Sequence, residues 1–242
     1  MSLPKLQPSP TRPEWPVVVD LGTKKAGALE VFLAHGSEYF GRRAQGLVAA
    51  DCLGIDLKSE YQSVVEAMGY RFLALDVLDE KLGQPAALPA ADYYLAFDFL
   101  EHLPSREDAD RVLKVMLTRA RRGVWLRMPS FEQDSETGEG RLRGLGLRFA
   151  WTDWKGHPTH YLLADANQVF ETAPRVAKVR VKPGRRIHAT DDHGVVPLSA
   201  PCDTVRYTYE LGPKQLVRFE APLVAQWEVL VELREPGEKA SP

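Results

Sequence analysis

The sequence predicts an α/β domain built on a doubly wound, mostly parallel β-sheet. Up to residue 128, short apolar runs typical of buried strands alternate with segments of helical periodicity. Such alternation implies right-handed βαβ units whose helices cover both faces of one sheet. The ligands of these sheets lie beyond the carboxyl ends of the strands. Four of the runs have an acid at or next to their carboxyl end, which would lie at that edge: Asp20, Asp56, Asp76 and Asp98.

Five apolar runs of five or six residues predict the strands of this sheet. A continuous apolar run is typical of a strand that is buried on both faces. The runs lie at residues 17–21, 52–56, 71–76, 93–97 and 123–128.

Three segments have the apolar spacing of a helix that packs on a sheet. They lie at residues 26–33, 61–68 and 109–120, and the last has the most regular pattern. Ser105 with Asp108 predicts an N-cap for this last helix. Ser59 with Gln62 predicts a capping box for the second.

The character of the chain changes after residue 128. Residues 131–146 are polar and rich in glycine, which predicts a mobile loop, and Asp165 could cap a short helix that runs to Phe170. Residues 205–211 and 215–220 have strand composition around a Leu-Gly-Pro-Lys turn, and residues 227–233 predict a final strand.

Composition narrows the class of protein. A hydrophobic content of 44% and a charged content of 26% are those of a globular domain, and a net charge of −2 gives no bulk attraction to nucleic acid or anionic membranes. Two cysteines cannot form a disulfide framework. There is no apolar run long enough to span a membrane and no signal-peptide core, so we expect a cytoplasmic protein. Residues 1–16 carry five prolines and predict an extended lead-in before a single domain over 17–242.

The stretch Asp92-Tyr-Tyr-Leu-Ala-Phe-Asp-Phe-Leu-Glu-His-Leu-Pro104 carries a family resemblance. It resembles the fourth strand of class I S-adenosylmethionine-dependent methyltransferases, in which Asp-Leu-Val…Asp-Val-Leu-Glu-His-Leu recurs. The resemblance implies a Rossmann-like, seven-stranded fold. It also implies a transferase that uses S-adenosylmethionine and releases S-adenosylhomocysteine.

The first glycine motif of that family, Asp-x-Gly-x-Gly-x-Gly, is degenerate here. The chain has Asp20-Leu-Gly-Thr-Lys-Lys-Ala-Gly27, in which only Gly22 is in its expected place and Lys24 replaces a glycine. A nicotinamide-dependent oxidoreductase would need glycines for close approach to a pyrophosphate. S-adenosylmethionine has no phosphate, and Lys24 or Lys25 could pair with its carboxylate.

The resemblance assigns cofactor contacts to the ends of four strands. Asp56 would accept both ribose hydroxyls, Asp76 and Val77 would lie by the adenine, and Asp98 and Phe99 would face the reacting group. The full implied set is Asp20, Leu21, Gly22, Lys24, Asp56, Leu57, Asp76, Val77, Asp98, Phe99 and His102. Residues 35–50 lengthen the first unit and could cover the cofactor or shape the acceptor site.

Residues 151–161 are dense in aromatics and histidines and follow the fifth strand. Trp151, Trp154 and Tyr161 could form an aromatic wall for the methyl acceptor. His157 or His160, beside Asp98, could remove a proton from the acceptor. Each histidine could instead satisfy a buried carbonyl. Asp153, His157 and His160 are also metal-type ligands, but a His-x-x-His pair alone is weak, so we assign no metal.

In the resembled fold, the seventh strand inserts antiparallel beside the fifth. Residues 176–182 and 226–234 would then be strands six and seven, and 187–222 would be a β-hairpin insertion that could form a lid or pair two copies as a homodimer. Lys178, Arg180 and Lys182 form one basic strand face. This face could bind nucleic acid, but the net charge favours a solvated edge strand.

The sequence therefore predicts a methyltransferase with S-adenosylmethionine as cofactor and a small-molecule or glycan-type acceptor, methylated on oxygen or nitrogen. A second hypothesis is a catalytically inactive methyltransferase-like binding or scaffold domain. A third is a nucleic-acid methyltransferase, which predicts salt-sensitive binding.

Overall fold

A computed structural model describes residues 16–79, 88–133 and 138–235. The predicted proline-rich lead-in lies outside the described residues except for its last residue. Seven strands form the main sheet, and most of them have the apolar and β-branched residues that favour strands. In chain order they are β1 (Val18–Leu21), β2 (Cys52–Asp56), β3 (Arg71–Ala74), β4 (Ala91–Phe97), β5 (Ala120–Pro129), β7 (Val176–Pro183) and β11 (Gln226–Leu233).

The strand order of the sheet is β3-β2-β1-β4-β5-β11-β7. β1 pairs in parallel with β2 and β4, and the pairs β2–β3 and β4–β5 are also parallel. β11 inserts antiparallel between β5 and β7. The predicted doubly wound, mostly parallel sheet of seven strands is confirmed, including the antiparallel position of the last strand.

Five helices accompany the sheet: α1 (Gly27–Phe40), α2 (Gln62–Ala67), α3 (Arg106–Arg119), α4 (Gly140–Arg143) and α5 (Leu163–Thr172). The side chains of β4 alternate between two apolar layers. Tyr94 and Ala96 join the layer that contains residues of α3 and α5, whereas Tyr93, Leu95 and Phe97 join the layer that contains residues of α1 and α2. The core therefore lies on both faces of the sheet. A ligand site would lie beyond the carboxyl ends of the parallel strands.

The helix boundaries confirm one predicted cap and contradict another. The Ser105 hydroxyl accepts a hydrogen bond from the Asp108 amide at 3.1 Å, which confirms the predicted cap of α3. α1 continues to Phe40, so most of the extra length in residues 35–50 is helix followed by short 3-10 turns. The capping box at Ser59 is wrong, because Ser59 begins a 3-10 turn and α2 has no side-chain cap.

The remaining strands form an elaboration beside the main sheet. β6 (Leu147–Phe149) pairs with β9 (Val195–Pro197), and β8 (Arg186–Ala189) pairs with β10 (Arg218–Val224). Both pairs are antiparallel and share a third apolar cluster with Leu142 of α4. The predicted insertion at 187–222 is thus more than one hairpin, and its domain boundaries stay a prediction.

Two local predictions in this region are wrong. Residues 205–211 form a loop with a 3-10 turn instead of a strand. Val205 is 62% exposed, so its side chain does not pack against an apolar layer. The predicted mobile loop is 131–146, and its described residues 138–146 contain the helix α4. Leu142 of this helix is fully buried. Among the described helices, none is long and apolar enough to cross a membrane.

Candidate functional site

Three of the four predicted acids lie where adjacent strands of the sheet end. Asp20 is the second-last residue of β1, Asp56 is the last residue of β2, and Asp98 directly follows β4. These strands are neighbours in the sheet. Asp76 lies two residues beyond the edge strand β3 and is exposed, and its carboxylate accepts a hydrogen bond from the Leu78 amide at 2.9 Å. The carboxyl edge of the sheet therefore carries three acids on adjacent strands, and we refer to this edge as the crevice because sheets of this kind bind ligands there.

The loop after β1 is tied to Asp56. The Lys24 amide donates to one Asp56 carboxylate oxygen at 3.3 Å, and the Lys58 amide donates to the other at 2.9 Å. A carboxylate has about four acceptor positions, so both oxygens keep one for a ligand hydroxyl. Lys24 and Ala26 have left-handed backbone conformations, with φ of 41° and 59°, which is typical of strained functional loops.

Asp20 has a different environment from Asp56. Only 2% of it is exposed, and burial raises the pKa of its carboxyl to about 7, whereas the Thr23 hydroxyl acts in the opposite direction. Leu21 is fully buried in the core, so only its backbone can contact a ligand. Leu57 is 66% exposed, and Val77 packs against the core layer that contains α3.

Asp98 joins three strands of the sheet. Arg127 of β5 donates to one oxygen of Asp98 from Nε at 3.1 Å and from Nη2 at 2.7 Å, and Gln226 of β11 donates to the other oxygen at 2.6 Å. The φ of Asp98 is 50°. Because its charge is compensated and both oxygens are occupied, Asp98 is better suited to position the crevice than to remove a proton.

A buried carboxyl that the sequence analysis missed lies next to Asp98. Glu101, in the 3-10 turn Leu100–His102, is 1% exposed, and neither of its side-chain oxygens has a hydrogen-bond partner among the described residues. Burial, with a smaller contribution from Asp98, raises the pKa of Glu101 to about 8. The sequence contained one signal for this site, because Glu101 and His102 are adjacent in the family-like stretch. It did not predict burial, because a glutamate in a short turn is usually exposed.

The segment 156–160 is fixed against this turn. The Thr159 amide donates to the Glu101 carbonyl at 3.3 Å, and the Thr159 hydroxyl donates to the Leu103 carbonyl at 2.6 Å. Nδ1 of His102 lies 2.7 Å from the Gly156 carbonyl. As a result, Nε2 of His157 lies 4.0 Å from a carboxylate oxygen of Glu101.

The two predicted catalytic histidines have different surroundings. Nδ1 of His157 lies 3.0 Å from the Trp151 carbonyl, and burial followed by the proximity of His102 lowers the pKa of His157 to about 4. Nε2 of His160 lies 2.6 Å from the Thr152 carbonyl, and its exposed ring stacks on Phe131. Each imidazole therefore satisfies a carbonyl with one nitrogen and keeps the other.

Of the three aromatic residues predicted to form the acceptor wall, only Trp154 places its ring against the imidazoles of His102 and His157. Its ring meets those of His102 and His157 edge to face, at centroid distances of 5.8 and 4.7 Å. Trp151 stacks on Phe149 in the elaboration. Tyr161 is 1% exposed, lies in the core and donates to Asp110 on α3 at 2.7 Å, so we leave it out of the wall.

The metal-type set noted in the sequence does not come together. Asp153 pairs with the buried Arg148 at 3.1 Å, and Nε2 of His160 is occupied by a carbonyl. The ligand-type side chains that do converge are those of Glu101, His102 and His157.

Most of the basic face of β7 is neutralised within the sheet. Arg180 pairs with Glu232 and Lys182 pairs with Glu228, both at 2.9 Å and both across to β11. Arg180 also donates to the carbonyl of Tyr39 at the end of α1. β7 is an edge strand, as predicted, but its cations are largely paired rather than free for phosphates.

Comparisons with known proteins give distant similarity in structure only. No family model matches the sequence, and no curated protein matches it. The magnesium protoporphyrin IX methyltransferase of Synechocystis PCC 6803, crystallised with bound S-adenosylmethionine, is 13% identical with a TM-score of 0.45, over 91% of this chain and 71% of that one. An O-methyltransferase family protein from Burkholderia thailandensis is 13% identical with a TM-score of 0.49, over 93% and 52%.

A Haloferax volcanii protein solved with the Trm112 methyltransferase activator is 15% identical with a TM-score of 0.49, over 96% of this chain and 86% of that one. The assignment of fold rests on the sheet itself. Its last strand lies antiparallel beside the fifth, as the family resemblance implies, in a sheet of order β3-β2-β1-β4-β5-β11-β7. By this arrangement, the chain has the Rossmann-like fold of class I methyltransferases.

Proposed function

We propose that the protein is an S-adenosylmethionine-dependent methyltransferase that acts on oxygen or nitrogen of a small-molecule or glycan-type acceptor. The observation that carries this proposal is the position of Asp56. Its carboxylate lies at the carboxyl end of β2, is held by the Lys24 and Lys58 amides, and keeps one acceptor position on each oxygen for the hydroxyls of a ribose.

The other residues of the crevice fit the same cofactor. Lys24 is exposed and makes no ion pair within the described ranges, so its ammonium is free for the ligand carboxylate. Asp76 and Val77 beyond β3 would border the adenine, and Phe99 closes the crevice against Gly22. When bound, S-adenosylmethionine supplies a methyl group that its sulfonium has already activated.

The chain's own contribution would be alignment and proton removal. Holding the acceptor in line with the methyl group is the main requirement of this reaction. The exposed His160 keeps an Nδ1 lone pair, which suits it to accept the acceptor's proton as a general base. With its pKa near 4, His157 is a weak base and would position the site together with Asp98.

Calorimetry with S-adenosylmethionine and S-adenosylhomocysteine tests this proposal. We expect both to bind, and absence of binding by both at millimolar concentration would overturn it. Binding of both without turnover on any acceptor would favour the inactive binding or scaffold domain. The nucleic-acid hypothesis is weakened because Arg180 and Lys182 are paired. The cytoplasmic location and a homodimer through the C-terminal β region stay predictions.

A further inference from the structure

Three side chains of metal-ligand type converge beyond the end of β4. Glu101, His102 and His157 each present one ligand atom, and these atoms all lie within 4.8 Å of one another. Two of the residues belong to the turn after β4, and the third belongs to the segment that Thr159 clamps against this turn. The cluster is thus built from two chain segments that are held in register by hydrogen bonds.

The hydrogen bonds of the two histidines fix which nitrogen is free. Nδ1 of His102 bonds the Gly156 carbonyl at 2.7 Å, and Nδ1 of His157 bonds the Trp151 carbonyl at 3.0 Å. A carbonyl oxygen can only accept, so both Nδ1 atoms must carry the proton, and both Nε2 atoms keep a lone pair. Donation from the second nitrogen to a carbonyl is the usual support of a metal-binding histidine.

Glu101 supplies the second observation. Its side chain is 1% exposed, and neither oxygen has a hydrogen-bond partner in the described part of the chain. A buried polar group without a partner destabilises the folded state, and more so when it is charged. When Glu101 is ionised, the two imidazole lone pairs cannot relieve this cost, because they are acceptors too. A cation between the three groups would satisfy all of them.

We propose that Glu101, His102 and His157 bind one divalent transition-metal ion. Two imidazoles and one carboxylate favour zinc, iron or manganese over calcium and magnesium, which prefer oxygen ligands. The distance of 4.0 Å between Nε2 of His157 and the Glu101 oxygen must shorten to about 3.4 Å for ligands about 2.1 Å from a tetrahedral ion. The other ligand atoms, which lie within 4.8 Å of one another, must approach to the same distance.

An ion with three protein ligands keeps at least one open coordination position. Glu101 and His102 follow Phe99 in the turn after β4, and the Phe99 ring lies against Gly22 of the loop after β1, so the cluster borders the crevice. The open position would then hold an oxygen of the acceptor and orient it toward the methyl group. This last step rests on the proposed methyl transfer, but the binding of the ion does not.

Calorimetric titration of the metal-free protein with Zn²⁺ tests the site, with Mg²⁺ as the comparison. We expect one Zn²⁺ per chain, and a much weaker response to Mg²⁺. Glu101→Gln and His102→Ala should each lower Zn²⁺ affinity by about 100-fold, since even the loss of an outer-shell partner costs about 10- to 100-fold. The matched control is His35→Ala, which removes an exposed His-Glu pair on α1 and should leave Zn²⁺ affinity unchanged.

Several results would overturn the proposal. These are no Zn²⁺ binding by the wild-type chain at 100 μM, or unchanged affinity in both Glu101→Gln and His102→Ala, or loss of binding in His35→Ala. Thermal melts without metal keep the test valid, because Glu101→Gln should fold at least as stably as the wild type once the buried charge is removed. S-adenosylmethionine titrated into the same variants tells failure of the metal site from failure of the proposed methyl transfer.

Discussion

The ring of Phe99 occupies the space that Gly22 leaves by having no side chain. A Cβ atom added to Gly22 would overlap the ring, and the φ of Gly22 is +72°, a conformation that L side chains rarely adopt. This contact joins the loop after β1 to the loop after β4. Glycine at position 22 therefore allows the two site loops to pack together.

Gly22→Ala should destabilise the protein by about 2 kcal/mol, through steric overlap with Phe99 and backbone strain. Equilibrium unfolding in urea measures the free-energy difference. Gly27→Ala is the matched control. Gly27 is the first residue of α1, and a Cβ added there would meet no atom within 4 Å. Equal stability of the two variants would mean that Phe99 can move aside without cost.

Asp56→Asn should weaken the binding of S-adenosylmethionine by about 10- to 100-fold. The amide keeps one oxygen for the backbone but removes charge-assisted hydrogen bonds to the ribose, each of which contributes about 1.5 to 3 kcal/mol. Calorimetry measures the affinity. Glu60→Gln, which removes an exposed charge near the start of α2, should leave it unchanged. An unaltered affinity in Asp56→Asn would show that the ribose lies elsewhere.

The sequence predicted what depends on near neighbours along the chain. The first five strands of the sheet follow apolar runs of the sequence, and Ser105 caps α3 through a residue three positions away. Features that depend on distant segments were missed. The turn that contains the buried Glu101 is hydrogen-bonded by Thr159, 58 positions later, and the core residue Tyr161 donates to Asp110, 51 positions earlier. Residues 205–211 have strand composition, but none of them joins a strand pair.

The stability of the protein should fall as pH rises from about 4 to about 7 through Asp20. Its pKa is about 7 in the folded chain against an ordinary value of 3.8. Between these values the unfolded chain releases the proton and the folded chain keeps it, so ionisation favours unfolding by up to about 4 kcal/mol at pH 7 and above. Urea unfolding from pH 4.5 to 7.5 follows this change.

Asp20→Asn should remove this part of the pH dependence. The difference in stability between Asp20→Asn and the wild type should grow as pH rises to about 7 and then level off, which isolates Asp20 from other titrating groups. Asp191→Asn is the control, because Asp191 is exposed. A difference that stays constant over this range would mean that Asp20 is already ionised in the folded chain.

His160→Ala should lower kcat by about 100-fold once an acceptor is known, and should leave the affinity for S-adenosylmethionine unchanged. The exposed Nδ1 of His160 is available to an acceptor, whereas Nε2 is held by the Thr152 carbonyl. A fall in kcat with unchanged affinity for S-adenosylmethionine separates loss of a base from loss of the fold. An unchanged kcat in His160→Ala would exclude His160 as the base.

Arg148→Leu should destabilise the C-terminal elaboration by about 3 kcal/mol, because it leaves buried carbonyls without donors, each at a cost of about 1 to 3 kcal/mol. Arg148 lies in β6 and is 1% exposed. Its guanidinium donates to the carbonyls of Phe149 and Ala200, both at 3.0 Å, and pairs with Asp153. Leucine leaves these carbonyls without donors inside the protein.

Urea unfolding measures this loss, and Arg186→Leu on the neighbouring strand β8 is the matched control because Arg186 is exposed. Limited proteolysis adds a local readout: cleavage within residues 201–216 should become faster in Arg148→Leu only, since Arg148 holds the Ala200 carbonyl that begins this loop. If both variants unfold and are cleaved alike, the loop is held in place by its apolar contacts instead, such as that of Tyr207 with the Ala150 cluster.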